Sequence, residues 1–382
     1  MVNIFIMKTK HIRWSNFLVV FFLLLSIACT EEEDAVIEPV VDISTYRGTQ
    51  SPGDVWEWQF DNINNRIIAI WDKGTFDDTT DDIRIEGSFQ KFSSGFIRVD
   101  IDTVIPSTSE IPDDGTAFFY ALEVSEMALM VKPEGSIKGD VIALVAEGEC
   151  SAVPDSYNYI VTAPGNPSFD PITEEAYGTI TINTSGIISG MKQSLDCING
   201  TCTVSGPING LPEMNCSGNG QIEVKETAMT IAQGQFTNAG VMMMDFGLGE
   251  GGIFALKKDP SVSLNDLGNT IYNGIVYQPE SMNDKTLPVR LNFITNTDGD
   301  IVGNGYLYTD VENDIVDIDE NIEILLDTIT SGLITGRIVH GDTTETAFAG
   351  ALIVNGDQQI FVLSSTTNES GNPPFLLVLT KK

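Results

Sequence analysis

The sequence predicts an all-β chain built from antiparallel hairpins, arranged as barrels or sandwiches in tandem. Three observations carry this. Apolar and polar residues alternate with a period of two in many short segments, Gly, Asp, Asn and Pro bound those segments, and no stretch keeps a helical period beyond two or three turns.

The elements follow in chain order. Residues 55–60, 83–89 and 96–101 read as half-buried strands, and the same texture returns at 177–182, 289–294 and 334–339. The dipeptides Asp114-Gly115, Asp298-Gly299 and Asn355-Gly356 are turn signals, because glycine takes the positive φ that tight hairpins need. Residues 117–130 and 315–326 are the best helical candidates, and both read equally well as strands. A weak internal echo aligns 180–190 with 293–303, with one inserted residue, and the lysine-capped apolar run 252–258 with 375–382. The expected organisation is a leader over 1–28, an acidic flexible tether over 29–52 and an N-terminal β unit over 53–258. That unit divides into two modules near 150–170. A linker over 259–268 and a C-terminal barrel or sandwich over 269–382 complete the chain.

The N-terminus carries an address. Lys8, Lys10 and Arg13 precede the apolar run 17–25, which is too short to span a bilayer, and Ser26-Ile27-Ala28-Cys29 follows with a small residue before the cysteine. This pattern resembles the lipobox of bacterial lipoproteins, with Ser26 in place of the usual Leu, Val or Ile. The resemblance implies cleavage before Cys29, lipidation of that cysteine, palmitate among its acyl chains and anchoring in the outer membrane. Met7-Lys8-Thr9-Lys10 also reads as a start. The run Thr30-Glu31-Glu32-Glu33-Asp34 resembles the export tags of surface-exposed lipoproteins, and a solvated spacer is the alternative.

Composition excludes several classes of partner. The chain carries a formal charge of −34, and removing the leader makes it three units more negative. Nucleic acid is not an expected partner, since phosphate neutralisation needs cations that are scarce here. Apart from Cys29 there are four cysteines, Cys150, Cys197, Cys202 and Cys216, an even number expected to form two disulfides in an oxidising compartment. Of three pairings, Cys197 with Cys202 and Cys150 with Cys216 is favoured. A zinc site is disfavoured, because paired Cys-x-x-Cys units and a neighbouring histidine are lacking.

The search for chemistry returns mainly exclusions. His340 is the one histidine beyond the leader, in an expected turn, and no serine elbow, zinc helix or nucleotide-binding glycine pattern occurs. No catalytic residue is assigned, and the chain is expected not to be an enzyme. A glycoside hydrolase working with two carboxylates stays open as a third reading, because such a pair leaves no local signature.

Two constellations remain. Trp56 and Trp58 lie two apart and share a strand face, with Trp71 on the next strand; as a solvent-facing strip they would stack on sugars, and as core residues they would plug a barrel. The Gly53-x-x-Trp56 spacing resembles the opening strand of lipocalin-like barrels, which implies a carrier of a small apolar ligand. Acids crowd two hairpin loops, Asp72, Asp77, Asp78, Asp81 and Asp82 in one and Asp310, Glu312, Asp314, Asp317, Asp319 and Glu320 in the other. Calcium is the cation such oxygen ligands would take, although neither segment fits the EF-hand spacing and Ile294 occupies the first ligand position ahead of Asp298. The triplets Asp102-Thr103-Val104 and Asp327-Thr328-Ile329 resemble acceptors for envelope O-glycans. The leading expectation is a lipid-anchored surface binding or outer-membrane accessory protein that recognises a glycan or a protein.

Overall fold

In a computed structural model the described residues form 25 β-strands and four short 3-10 turns. The structure describes residues 42–50, 54–72, 80, 82–112, 115–124, 126–134, 141–162, 172–210, 212–227, 229–246, 252–278, 285–339, 345–365 and 375–382. The leader, Cys29, Asp77, Asp78, Asp81 and His340 lie outside them, as do the side chains of Asp319 and Glu320.

The first eight strands close into an antiparallel barrel: β1 (Ile43–Gln50), β2 (Asp54–Asp61), β3 (Arg66–Asp72), β4 (Ile83–Lys91), β5 (Phe96–Ile105), β6 (Phe118–Val124), β7 (Ala128–Glu134) and β8 (Ile142–Ala146), with β8 paired back onto β1. Closure pairs every strand and leaves no free edge. The stretch expected as tether up to residue 52 therefore contains a strand. Residues 43–50 alternate poorly, but Tyr46 supplies a fully buried ring.

A nine-stranded curled sheet follows: β9 (Ser156–Thr162), β10 (Tyr177–Ile182), β11 (Ile188–Gln193), β12 (Ser205–Pro207), β13 (Glu213–Ser217), β14 (Gln221–Glu226), β15 (Met229–Phe236), β16 (Val241–Asp245) and β17 (Gly252–Lys257). Strand β17 pairs with β9, and the edges β12 and β13 are the last and first of this half-barrel. A single isolated bridge, Ile187 to Glu213, joins the residue before β11 to the first residue of β13.

The last eight strands form a second closed barrel: β18 (Ile271–Gln278), β19 (Lys285–Thr295), β20 (Ile301–Asp310), β21 (Ile315–Thr330), β22 (Leu333–Val339), β23 (Glu345–Asn355), β24 (Gln358–Ser365) and β25 (Leu376–Lys381). Gly299 and Gly356 sit at positive φ, +92° and +61°, at the tips of two of its hairpins. The segment expected as a linker is packed structure. Ser263 and Asp266 form a capping box, and Val262 and Leu267 are buried in the core of this barrel.

The three modules repeat one register. Tyr46 lies opposite Ala146, Tyr157 opposite Lys257 and Tyr272 opposite Lys381, each pairing the opening strand with the closing one. All three tyrosines are fully buried. The echo between 180–190 and 293–303 falls on β10–β11 and β19–β20, which begin with the second strand of their modules.

Each module has an interior core, and a further cluster lies between modules. That cluster joins Phe96, Leu122 and Val145 of the first barrel to Ile160 and Phe254 of the sheet and Ile275, Val362 and Val378 of the last barrel. Strands facing it bury both faces, so β7, β8, β16, β23, β24 and β25 read as near-continuous apolar runs. Residues 42–382 accordingly form one compact unit.

Candidate functional site

The tryptophans face inward. Trp56 and Trp58 are 2% and 0% exposed, and Trp71, opposite Trp56 on β3, stacks on it at 5.2 Å between ring centroids. Phe119 meets Trp58 edge-on at 5.2 Å, and Phe89 meets Phe60 at 5.1 Å. Of the two readings of these tryptophans, the barrel plug is formed and the solvent-facing strip is not. These rings occupy the barrel interior because burying large aromatic surface is the main gain available to a small barrel.

The cysteines form the favoured pairs, Cys150 with Cys216 at a Cα separation of 5.5 Å and Cys197 with Cys202 at 4.3 Å. Both belong to the half-barrel and flank its open seam: Cys216 is on edge strand β13, and the other pair closes the loop leading into edge strand β12. Two disulfides are the mark of a compartment outside the reducing cytoplasm.

The acidic hairpin after β20 does not converge on a cation. Asp310 accepts hydrogen bonds from Asn313. Glu312 pairs with Arg98 of the first barrel at 2.7 Å and accepts from Tyr120, whose hydroxyl is pushed up to about 12 by burial and then by Glu312. Asp314 pairs with Arg290 and, at 2.7 Å, with Lys382. These three carboxylates, weighed as calcium ligands, instead bind protein groups: Asp310 within its hairpin, Asp314 within the last barrel and Glu312 across to Arg98 of the first barrel. Asp72 ends β3 and Asp82 precedes β4. Among the described residues, no group of three or more His, Cys, Asp or Glu could hold a metal ion.

The two Asp-Thr triplets occupy like positions. Register shifts on β4–β5 and β21–β22 leave Asp102 and Asp327 as the extra residues of β-bulges, each beside an arginine, Arg66 and Arg337 respectively. Thr328 is exposed and shares a 2.8 Å hydrogen bond with Thr335.

The prominent concave feature is a polar groove that the sequence did not reveal. One cleft of about 740 Å³ runs along the rim of the first barrel, and a second of about 810 Å³ opens where all three modules meet; Glu126 and Glu147 line both. At the rim, Glu123 accepts from the Tyr46 hydroxyl at 2.7 Å and pairs with Lys91 at 2.8 Å. At the junction, Thr237 donates to the Glu126 backbone carbonyl at 2.7 Å, and the Asn238 side-chain Oδ1 accepts from the Glu149 backbone N–H. Glu126 sits at φ +60°, an uncommon conformation for a residue with a side chain.

The groove is acidic on balance. Asp42, Glu123, Glu126, Glu147 and Asp259 line it against Lys91, Lys257 and Lys258. Lys257 is held by Asp155, and burial of Asp155 opposes its charge, but the Lys257 hydrogen bond and the Ser156 backbone outweigh this and keep the carboxyl below 3.8. Hydrogen bonds from Ser261 likewise lower Asp259. A general acid needs the opposite shift. The lining suits an extended polar ligand held by hydrogen bonds and charge pairs. Its residues come from turns and strand ends of all three modules, and the one local signal is the Ser125-Glu126 break between two apolar runs.

No family model matches this chain, and no curated protein matches its sequence. Two solved structures are similar at low levels. One is a protein of unknown function from the DUF3598 family of Nostoc punctiforme PCC 73102, with 10% identity, a TM-score of 0.23 and coverage of 90% of this chain and 96% of that one. The other is a Bacteroides fragilis NCTC 9343 protein described as a candidate outer membrane protein, with 12% identity, a TM-score of 0.21 and coverage of 62% and 99%.

Proposed function

We propose that the mature chain is a non-enzymatic protein anchored through Cys29 to the outer membrane, where it binds an extended polypeptide partner along the groove lined by Glu126 and Glu147. The observation that carries this reading is that two polar clefts share Glu126 and Glu147 and that residues of all three modules line the second. Burial of Trp56 and Trp58 removes the stacking platform on which a glycan reading leaned, and the aromatic filling of the first barrel disfavours an apolar cargo there. The acidic excess favours a segment carrying lysine or arginine, and the strongly negative chain would steer such a partner toward it.

Photo-crosslinking in intact envelopes tests this. A photoreactive residue at Asn238 should yield a discrete polypeptide adduct that disappears when Glu126 and Glu147 are both changed to Lys. The same probe at Met229, 67% exposed and away from the groove, should not give it. An adduct containing only carbohydrate, or equal adducts at both positions, would overturn the reading.

A further inference from the structure

Away from the groove, the two disulfides of the half-barrel stand in unlike surroundings. Cys150 lies in a 3-10 turn and Cys216 in edge strand β13, where it packs against the interior core of the half-barrel. Both are half-buried, and regular structure holds each of them in place. Cys197 is also half-buried, within the 3-10 turn Leu195–Asn199, but Cys202 is exposed and lies outside any strand or helix.

The segment around the Cys197–Cys202 bridge reaches inward. Leu195 is fully buried in the inter-module cluster, Ile198 packs against that cluster, and the turn touches β23 of the last barrel. Local bonds shape the loop: the Thr201 N–H donates to the Asp196 carbonyl, the Thr203 hydroxyl donates to the Asp196 carboxylate at 2.9 Å, and Gly200 takes a φ of +94°. The bridge therefore has one cysteine at the surface and the other on a turn that joins the half-barrel to the last barrel.

We propose that Cys197–Cys202 is a thiol-exchange site that takes a dithiol as its reductant, with the Cys202 Sγ as the atom attacked, and that its state sets how firmly residues 195–204 hold to the last barrel. A thiolate of the dithiol bonds to the Cys202 Sγ; the Sγ–Sγ bond breaks, and its electron pair leaves with Cys197, which takes a proton. The second thiol of the reductant then displaces Cys202 from the mixed disulfide. One protein disulfide is reduced and one dithiol is oxidised. Access decides which bridge reacts, since exchange needs an open line to the sulfur under attack. Once the bridge is open, Cys202 can move off, because no strand or helix fixes it, whereas Cys150 and Cys216 are held opposite each other by their own elements and reclose. This site is independent of the groove.

The test treats the mature protein with dithiothreitol at graded ratios to its oxidised form, alkylates the thiols and maps the labelled peptides. A species labelled at Cys197 and Cys202, with Cys150–Cys216 still closed, should accumulate over roughly a tenfold range of that ratio. In this species amide hydrogen exchange should rise across residues 195–204 and in β23, and stay unchanged in β5. With oxidised glutathione, Cys197→Ser should form a mixed disulfide at Cys202 roughly ten times faster than Cys202→Ser forms one at Cys197. Reduction of both bridges together, opening of Cys150–Cys216 first, unchanged exchange at 195–204 after reduction, or equal trapping by the two variants would each overturn the proposal. The first three outcomes need no variant to fold.

Discussion

Asn158 on β9 donates its side-chain amide to the backbone carbonyl of Ser331, 2.7 Å away in space and 173 residues along the chain. Asn273 on β18 makes the same kind of bond to the Ser94 carbonyl. Each asparagine follows a repeat tyrosine, Tyr157 or Tyr272, and reaches the hairpin turn of another module. Asn158→Ala would leave the Ser331 carbonyl without its donor, so a stability loss of about 1–3 kcal/mol is expected in urea unfolding. Asn273→Ala should cost a similar amount, and the two losses should add, because the sites share no partner.

Trp58→Ala should cost about 3–5 kcal/mol, the range for removing a large aromatic from a packed core. Tryptophan fluorescence is a clean reporter here. Beyond Trp14 of the leader, every tryptophan lies in the first barrel. Because the inter-module cluster couples that barrel to the others, the fluorescence transition should coincide with the far-UV circular dichroism transition. An earlier fluorescence transition would show that the first barrel unfolds alone.

The disulfides should differ in weight. Loop-closure entropy gives about 4 kcal/mol for a bridge spanning 66 residues, as Cys150–Cys216 does, and about 2 kcal/mol for the five-residue span of Cys197–Cys202. Cys150→Ser with Cys216→Ser should therefore lower the melting temperature roughly twice as far as the other double variant. Calorimetry on the two would decide it.

Acid should loosen the contacts that hold the Asp314 hairpin to β19 and to the C-terminus within the last barrel. Burial opposes the charge on Asp314, but the Lys382 hydrogen bond and the charges of Arg290 and Lys382 prevail, and its pKa falls below 3.8. Since the folded value is the lower one, this carboxylate stabilises the fold above about pH 4 and ceases to do so as pH falls through the folded value. Asp314→Asn should lower stability at neutral pH and flatten the acid limb of a stability-versus-pH curve.

Cys29→Ala should release the protein from the membrane fraction into the soluble one. Unchanged fractionation would remove the anchor from the proposed function.

Much of the architecture was legible because half-buried strands announce themselves: β2 and β4 alternate along most of their length, and β5 does so from Ile97 to the bulge at Asp102, with one face toward the barrel interior. Strands packed on both faces erase that signal. Residues 117–130 looked as helical as extended because β6 and β7 join the barrel core to the inter-module cluster. For the tryptophans, a period of two established that Trp56 and Trp58 share a face, and nothing local said which face. Spacing favoured the cysteine pairing that forms without excluding the other two, while the partners of the acidic hairpin were hidden because Arg98, Arg290 and Lys382 lie elsewhere in the sequence. The groove was invisible for the same reason: its lining residues are gathered from turns over 300 residues apart.

A continuous set of buried side chains shared by two barrels and a half-barrel has a mechanical meaning. Because the modules pack on one shared cluster, a pull on one barrel by the proposed partner would be felt by the others as a load on a single strut. Such a protein would yield by unravelling as a whole, and it would hold its partner at a fixed attitude until it did.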